Sequence, residues 1–88
     1  MEECVAGELV QLDSELRLAL KDDAAHFGRA IVEKVQRDWV TFERTECALE
    51  KSPYKGGTIQ PLIYGACEVK LLVQRINGIN ADIRATPK

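Results

Sequence analysis

The sequence predicts an all-α protein, an antiparallel three-helix bundle, on three observations. Apolar residues recur at helical spacing in three long segments, and no persistent period-2 alternation indicates a β-strand. Only one stretch between these segments is rich in turn-forming residues. The chain has 88 residues, of which 45% are hydrophobic and 30% charged, as is typical of one small folded domain. We therefore expect a single helical domain over residues 1–88, with a long central helix.

The first helix is predicted from about Glu3 to Lys21. Its apolar residues share one face at 100° per residue: Val5, Leu9, Leu12, Leu16, Ala19 and Leu20. Acidic residues lie near its N-terminal end and Lys21 at its C-terminal end, as the helix dipole favours. We expect the pair Asp22-Asp23 to end this helix and to cap the next one.

The second helix is predicted from about Ala24 to Lys51 and would be the longest element. Its apolar face comprises Ala24, Phe27, Ile31, Val35, Trp39, Phe42 and Leu49. Gly28 lies on the same face, which indicates a close approach of a neighbouring helix. His26, the only histidine, lies near the start of this helix without an evident partner, and we expect a surface or boundary position for it.

The third helix follows a loop at Ser52–Thr58, where a proline and two glycines end the second helix. It is predicted from about Ile59 to Ile83. Its core face comprises Leu62, Ala66, Val69, Leu72, Val73, Ile76, Ile79 and Ile83. A second apolar strip, formed by Ile63, Tyr64, Cys67 and Leu71, also requires a cover. Either the loop folds back over this strip or a partner chain covers it, and a homodimer is the second alternative.

Charge and motifs exclude several classes of function. The net charge is −2, so no basic excess favours nucleic acid. No apolar run reaches the roughly 20 residues of a membrane span. Met1-Glu2-Glu3 is acidic and is no secretory leader, so if the protein is exported we expect its leader to have been removed or replaced already. Gly56-Gly57-Thr58 lacks the spacing of a phosphate-binding loop. We expect neither an enzyme nor a cofactor.

The three cysteines predict a disulfide. Their number is odd, no Cys-x-x-Cys is present, and one histidine is too few for a zinc site. In an up-down-up bundle, Cys4, Cys47 and Cys67 all lie at one end. Closing the loop between Cys47 and Cys67 is worth about 3 kcal/mol. We predict this bridge, with Cys4 unpaired or intermolecular. The competing pairings are Cys4–Cys47 and Cys4–Cys67, and the further alternative is three reduced cysteines in a cytosolic protein.

A set of short motifs in order along the chain resembles a known family. The stretch from Gln36 to Cys47 contains Gln36, Trp39 and Arg44. It is followed by Gly56-Gly57-Thr58, by Pro61-Leu62-Ile63-Tyr64-Gly65-Ala66-Cys67 and by Leu71-Leu72-Val73-Gln74-Arg75. Together with Glu3-Cys4 and Leu12-Asp13-x-x-Leu16, these motifs resemble the N-terminal domain of LprI-like lysozyme inhibitors of the bacterial envelope. The chain departs from that pattern in lacking a cysteine upstream of Cys4 and in having Leu72 where the family has threonine.

The resemblance implies a periplasmic or secreted helical domain that is disulfide-bonded, and it adds weight to the Cys47–Cys67 pairing. It also implies inhibition of lysozyme. The motif residues are expected to fix the bundle rather than to bind a ligand: Gln36, Trp39, Arg44, Gly56, Gly57 and Arg75. Trp39 would fill the core, and Gln36 would bond either a helix backbone or Arg75.

Partner-binding residues are expected at the end that carries the cysteines. Most lysozymes are cationic, so an inhibitor gains from acidic contacts and from a loop that enters the cleft. The candidates are Glu43, Glu46 and Glu50 with Tyr54 and Lys55 of the loop. The simpler alternative for the three glutamates is a solvated helix face.

Overall fold

The chain forms three α-helices packed side by side. The computed structural model describes the backbone of residues 2–87 and the side chains of residues 7–87. The helices are α1 (Glu2–Phe27), α2 (Arg29–Lys51) and α3 (Ile59–Ala85), and residues 2–87 contain no strand. The molecule measures 48 × 23 × 19 Å, and every pair of helices is in contact. The predicted all-α three-helix bundle is confirmed.

The contacts between the helices show that they run in an up-down-up arrangement. Cys47 near the end of α2 is bonded to Cys67 near the start of α3, whereas Gln36 earlier in α2 contacts Arg75 later in α3. These two helices therefore run antiparallel. Since only Gly28 separates α1 from α2, the chain reverses there within one residue, and α1 lies parallel to α3.

The first turn is not where the sequence pattern placed it. Helix α1 continues through Asp22 and Asp23 to Phe27, and the chain turns at Gly28, whose φ is +110° and ψ 139°. Only glycine adopts this conformation without strain, whereas the carboxylates of an Asp-Asp pair do not prevent a helix from continuing. The predicted break at Asp22-Asp23 is wrong, as is the close approach at Gly28, since a Cβ built there would meet only Ile31, at 4.0 Å.

The shift of the turn changes both helices that it joins. Helix α2 has 23 residues, against 26 for α1 and 27 for α3, so the prediction that it is the longest element is wrong. His26 belongs to the last turn of α1 and not to the start of α2. It is half-buried, and its ring lies edge-on to Phe27 with the centroids 4.6 Å apart.

The face of α2 that packs inward also differs from the predicted one. Four residues of the predicted face are 44–64% exposed: Ile31, Val35, Phe42 and Leu49. The buried residues are Val32 and Cys47, which lie roughly 90° and 150° around a helix of 3.6 residues per turn from that exposed set. Because the covalent bond to α3 requires Cys47 to face that helix, it outweighs the apolar pattern in setting the rotation of α2.

The interior consists of two clusters that share one tryptophan. The larger, between α1 and α3, contains Leu16, Ala19, Leu72 and Ile79, and it confirms the predicted inner face of the first helix, apart from Val5, whose side chain lies outside the described residues. The smaller contains Cys47, Cys67 and Leu71, with Tyr64 packed against it. Trp39 is half-buried and packs against both clusters.

Helix α3 is covered on two sides by its own chain. Tyr64 and Leu71 of the second apolar strip pack with Cys47 of α2, so neither the loop nor a partner chain is needed as a cover there. Two residues of its predicted core face, Ala66 and Val73, are exposed instead. Ala66 lies beside Glu50 and Tyr54 at the disulfide end, and Val73 lies beside Leu12 and Ala19 of α1.

Candidate functional site

The disulfide end of the bundle is built on a fully enclosed covalent link. Cys47 and Cys67 are bonded with their Cα atoms 5.5 Å apart, and they are 0% and 2% exposed. The predicted pairing is confirmed, and the alternatives that pair Cys4 with either residue are excluded. The prediction for Cys4 itself concerns a side chain outside the described residues. The link fixes the end of α2 against the start of α3 and so positions every side chain around it.

The loop between these helices is a compact turn with an exposed tip. Ser52 donates a side-chain hydrogen bond of 2.7 Å to the Leu49 carbonyl, and the Tyr54 backbone N–H donates to the Lys51 carbonyl at 3.0 Å. Gly56 and Gly57 have φ values of +81° and +68°, the left-handed region that favours glycine. Tyr54 and Lys55 project from the tip and are exposed.

Glu50, one of the three glutamates predicted to bind a partner, is already paired. Lys70 of α3 donates a hydrogen bond of 2.7 Å to the Glu50 carboxylate, and this bond holds the pKa of Glu50 below its usual range. Lys51 lies 5.2 Å from the centre of the Tyr64 ring. Two basic residues of this end therefore have partners inside the chain.

Glu43 behaves differently, because its nearest charged neighbour across the helix interface is another carboxylate. Both Glu43 on α2 and Glu68 on α3 are half-buried. Burial raises the pKa of both residues, and repulsion from Glu68 raises that of Glu43 further, while Arg44 offsets part of this effect. Glu46, between Glu43 and Glu50 on α2, is also half-buried. The predicted acidic edge thus contains one carboxylate paired with Lys70 and one, Glu43, whose pKa is raised.

Glu43 and Glu68 line a groove that opens at the side of the bundle. Its volume is about 380 Å³, and its walls come from all three helices: Leu9, Val10, Asp13, Leu16, Gln36, Trp39, Val40 and Leu72 complete the lining. We call it the acidic groove. Sequence reasoning missed Glu68 as a site residue: its position next to Cys67 places it near the disulfide end, but does not show that it meets Glu43 across the two helices.

The remaining motif residues hold α2 and α3 together or lie at the surface. The Arg75 Nε–H donates a hydrogen bond of 3.0 Å to the Gln36 side-chain oxygen, which is one of the two partners considered for Gln36. Burial lowers the pKa of Arg75, and Asp23 and Asp82 partly restore it. Arg44 is exposed on α2. These placements agree with a framework role for Gln36, Trp39 and Arg75 and give no such role to Arg44.

Other kinds of site have no support in the described part of the chain. Among the side chains of residues 7–87, no group of three or more His, Cys, Asp or Glu is arranged to hold a metal ion. Within residues 2–87, no helix combines the length and the apolar character that a membrane crossing demands.

Comparison with known proteins assigns the family. The model of the family "Lysozyme inhibitor LprI" matches residues 1–78. No curated protein and no solved structure matches the chain. The match covers the bonded cysteines, the motif around Trp39 and both glutamates of the acidic groove. The chain therefore belongs to the lysozyme inhibitor LprI family.

Proposed function

We propose that the protein is a non-catalytic, extracytoplasmic binding module that inhibits a cationic lysozyme through its disulfide end. The single observation that carries this proposal is the acidic groove, where two half-buried carboxylates face each other across α2 and α3. Membership of the LprI family supports the choice of lysozyme as the partner.

The charge distribution supports a basic partner. The whole chain carries only −2, so attraction by the overall field is weak, and specific contacts have to supply the selectivity. Glu43, Glu46 and Glu68 lie close together on one side of the disulfide end. A lysozyme surface rich in Arg and Lys would place its charges against carboxylates that find little compensation within this chain.

The loop tip supplies the second contact in this proposal. Tyr54 and Lys55 are exposed beside the bonded cysteines, and a tyrosine is a common anchor in protein interfaces because it combines apolar area with a polar end. The disulfide restricts the motion of the loop, so little conformational entropy is lost on binding. Glu50 contributes less than Glu43, because Lys70 already neutralises it.

The same bond supports a location outside the cytosol. Disulfides persist in oxidising compartments such as the periplasm or the extracellular space, and both cysteines of this one are buried. We therefore place the working protein in the periplasm or in the secreted fraction.

A turnover assay tests the proposal. The rate at which a cationic lysozyme clears a cell-wall suspension is measured with an excess of this protein, at low and at high salt. We expect the protein to slow clearance at micromolar concentration and low salt, with weaker inhibition at high salt because charges are screened. Unchanged clearance at both salt concentrations would contradict the proposal.

A further inference from the structure

We propose that the acidic groove is a receptor for one basic side chain, arginine or lysine, presented by the partner protein. This inference rests on the proposed function and names the group that the partner inserts. The aliphatic stem of that side chain would lie against the apolar walls, and its charged head would lie between Glu43 and Glu68.

The apolar part of the groove suits such a stem. Leu9 and Val10 of α1 face Trp39 and Val40 of α2 across the opening. Val10 is 70% exposed, and Trp39 is only half-buried, so both offer apolar surface to an inserted side chain. Long basic side chains cover apolar surface with their methylenes while the charged head reaches a polar group, and an indole face attracts cations.

The charged part of the groove requires a cation from outside. On α2, Gln36 is already engaged by Arg75, and Arg44 lies next to Glu43 but on the exposed surface. On α1, Asp13 pairs with Arg17 at 2.9 Å. No lysine or arginine lines the groove among the described residues, and the sequence of residues 2–6 contains none.

Glu68 has no ion pair among residues 7–87. Lys70, two residues further along α3, lies on another side of the helix, where it bonds Glu50. Half-buried carboxylates that repel each other cost folding free energy. Groups kept in such a state inside a cleft are candidates for binding an outside ligand.

A double substitution that keeps side-chain shape and removes both charges tests the receptor. The variant Glu43→Gln with Glu68→Gln removes both carboxylates and keeps their shapes. The matched control, Glu15→Gln with Asp22→Asn, removes the same charge from exposed positions on α1 that do not line the groove. Affinity for immobilised cationic lysozyme should fall at least about tenfold in the first variant and change less than about twofold in the control. Equal affinities of the two variants would overturn the inference.

Melting temperature separates loss of binding from loss of fold. Because the two glutamates repel each other at neutral pH, the Gln variant should melt at or above the temperature of the unchanged protein. A lower melting temperature together with lost binding would indicate structural damage, and the inference would then depend on the probe below.

A small probe tests the groove without any lysozyme. N-acetyl-arginine methylamide is titrated while the indole N–H signal of Trp39, the only tryptophan, is followed by NMR; the neutral citrulline analogue serves as the control compound. We expect a saturable shift with the arginine probe that is absent in the Gln variant and absent with citrulline. Equal shifts with both compounds would contradict the inference. A shift specific to arginine in a protein that leaves lysozyme active would retain the receptor and reject only the proposed partner.

Discussion

The two ends of the bundle are held by different means. At the disulfide end, a buried covalent bond joins Cys47 to Cys67, and apolar groups surround it. At the opposite end, which we call the turn end, α1 passes into α2 through Gly28 alone. The first end is fixed by a bond that no side-chain substitution nearby can loosen. The disulfide end can therefore tolerate the repulsion between carboxylates in the acidic groove. The turn end has no covalent bond that would offset a similar repulsion.

The turn end contains polar groups whose bonding capacity is only partly used. Asp23 is 8% exposed, and no hydrogen bond or ion pair to its carboxylate exists among residues 7–87. Burial raises its pKa, while Arg75 and His26 lower it and Asp82 raises it. The Arg75 Nη2 and His26 Nε2 atoms are also buried, and neither has a hydrogen-bond partner within the described side chains of residues 7–87. Such a network stabilises less than an apolar core would.

Among the substitutions that test this comparison, removal of the disulfide should lower stability the most. The double substitution Cys47→Ala and Cys67→Ala deletes a link between residues separated by 20 positions, which is worth about 3 kcal/mol. For a domain of this size that corresponds to a fall in melting temperature of roughly 10–25 °C. Cys4→Ala, which keeps the bridge, should melt near the unchanged protein. A double variant that melts within a few degrees of the unchanged protein would show that the bond does not hold this end.

Substitution of the turn glycine should have the next largest effect. Gly28→Ala forces an L side chain into a φ of +110°, and since a Cβ there meets no close neighbour, the cost of about 2 kcal/mol is conformational strain alone. Gly78→Ala is the control, because Gly78 lies inside α3 with open space around it and alanine should stabilise the helix by about 1 kcal/mol. Urea unfolding measures both changes, and the same sign for the two would contradict the assignment of the turn.

Neutralisation of Asp23 should have the smallest effect on stability, and it should stabilise the protein, whereas the disulfide and Gly28 substitutions destabilise it. The pKa of Asp23 is raised in the folded protein. Between the pKa of the unfolded state and that of the folded state, the folded protein keeps a proton that the unfolded chain has lost. Stability therefore falls as the pH rises through this interval. Asp23→Asn removes this loss and should raise the melting temperature at pH 7. The gain should disappear below the ordinary pKa of 3.8.

A neighbouring substitution serves as its control. Asp22→Asn changes an exposed side chain, and its effect on the melting temperature should stay small at every pH. If Asp23→Asn lowered the melting temperature at pH 7, the carboxylate would be a stabilising member of the Arg75 network, and the contrast between the two ends would be smaller than inferred.

The acidic groove shows how far sequence reasoning reaches towards the site. Glu43 was identified as a candidate because it lies on α2 near Cys47. Its neighbour Glu68 was not, because their approach depends on how far α2 is rotated about its axis. The same rotation assigns Glu50 to Lys70 and leaves Glu43 without an ion pair among residues 7–87. Charge and spacing along a helix identify the face on which a residue lies, but they do not identify the residue opposite it on another helix.

The sequence alone determined the helical class and the loop at Ser52–Thr58, and it favoured the pairing of Cys47 with Cys67 over the alternatives. Each of these depends on local signals: apolar periodicity, proline and glycine, and the length of chain that a bridge must close. Only the tertiary structure decided that α1 runs on to Phe27 and that the apolar residues Ile31, Val35, Phe42 and Leu49 remain exposed. The reason is that an apolar stripe marks a face that gains free energy when buried, whereas a covalent bond between two helices decides which face can be buried at all.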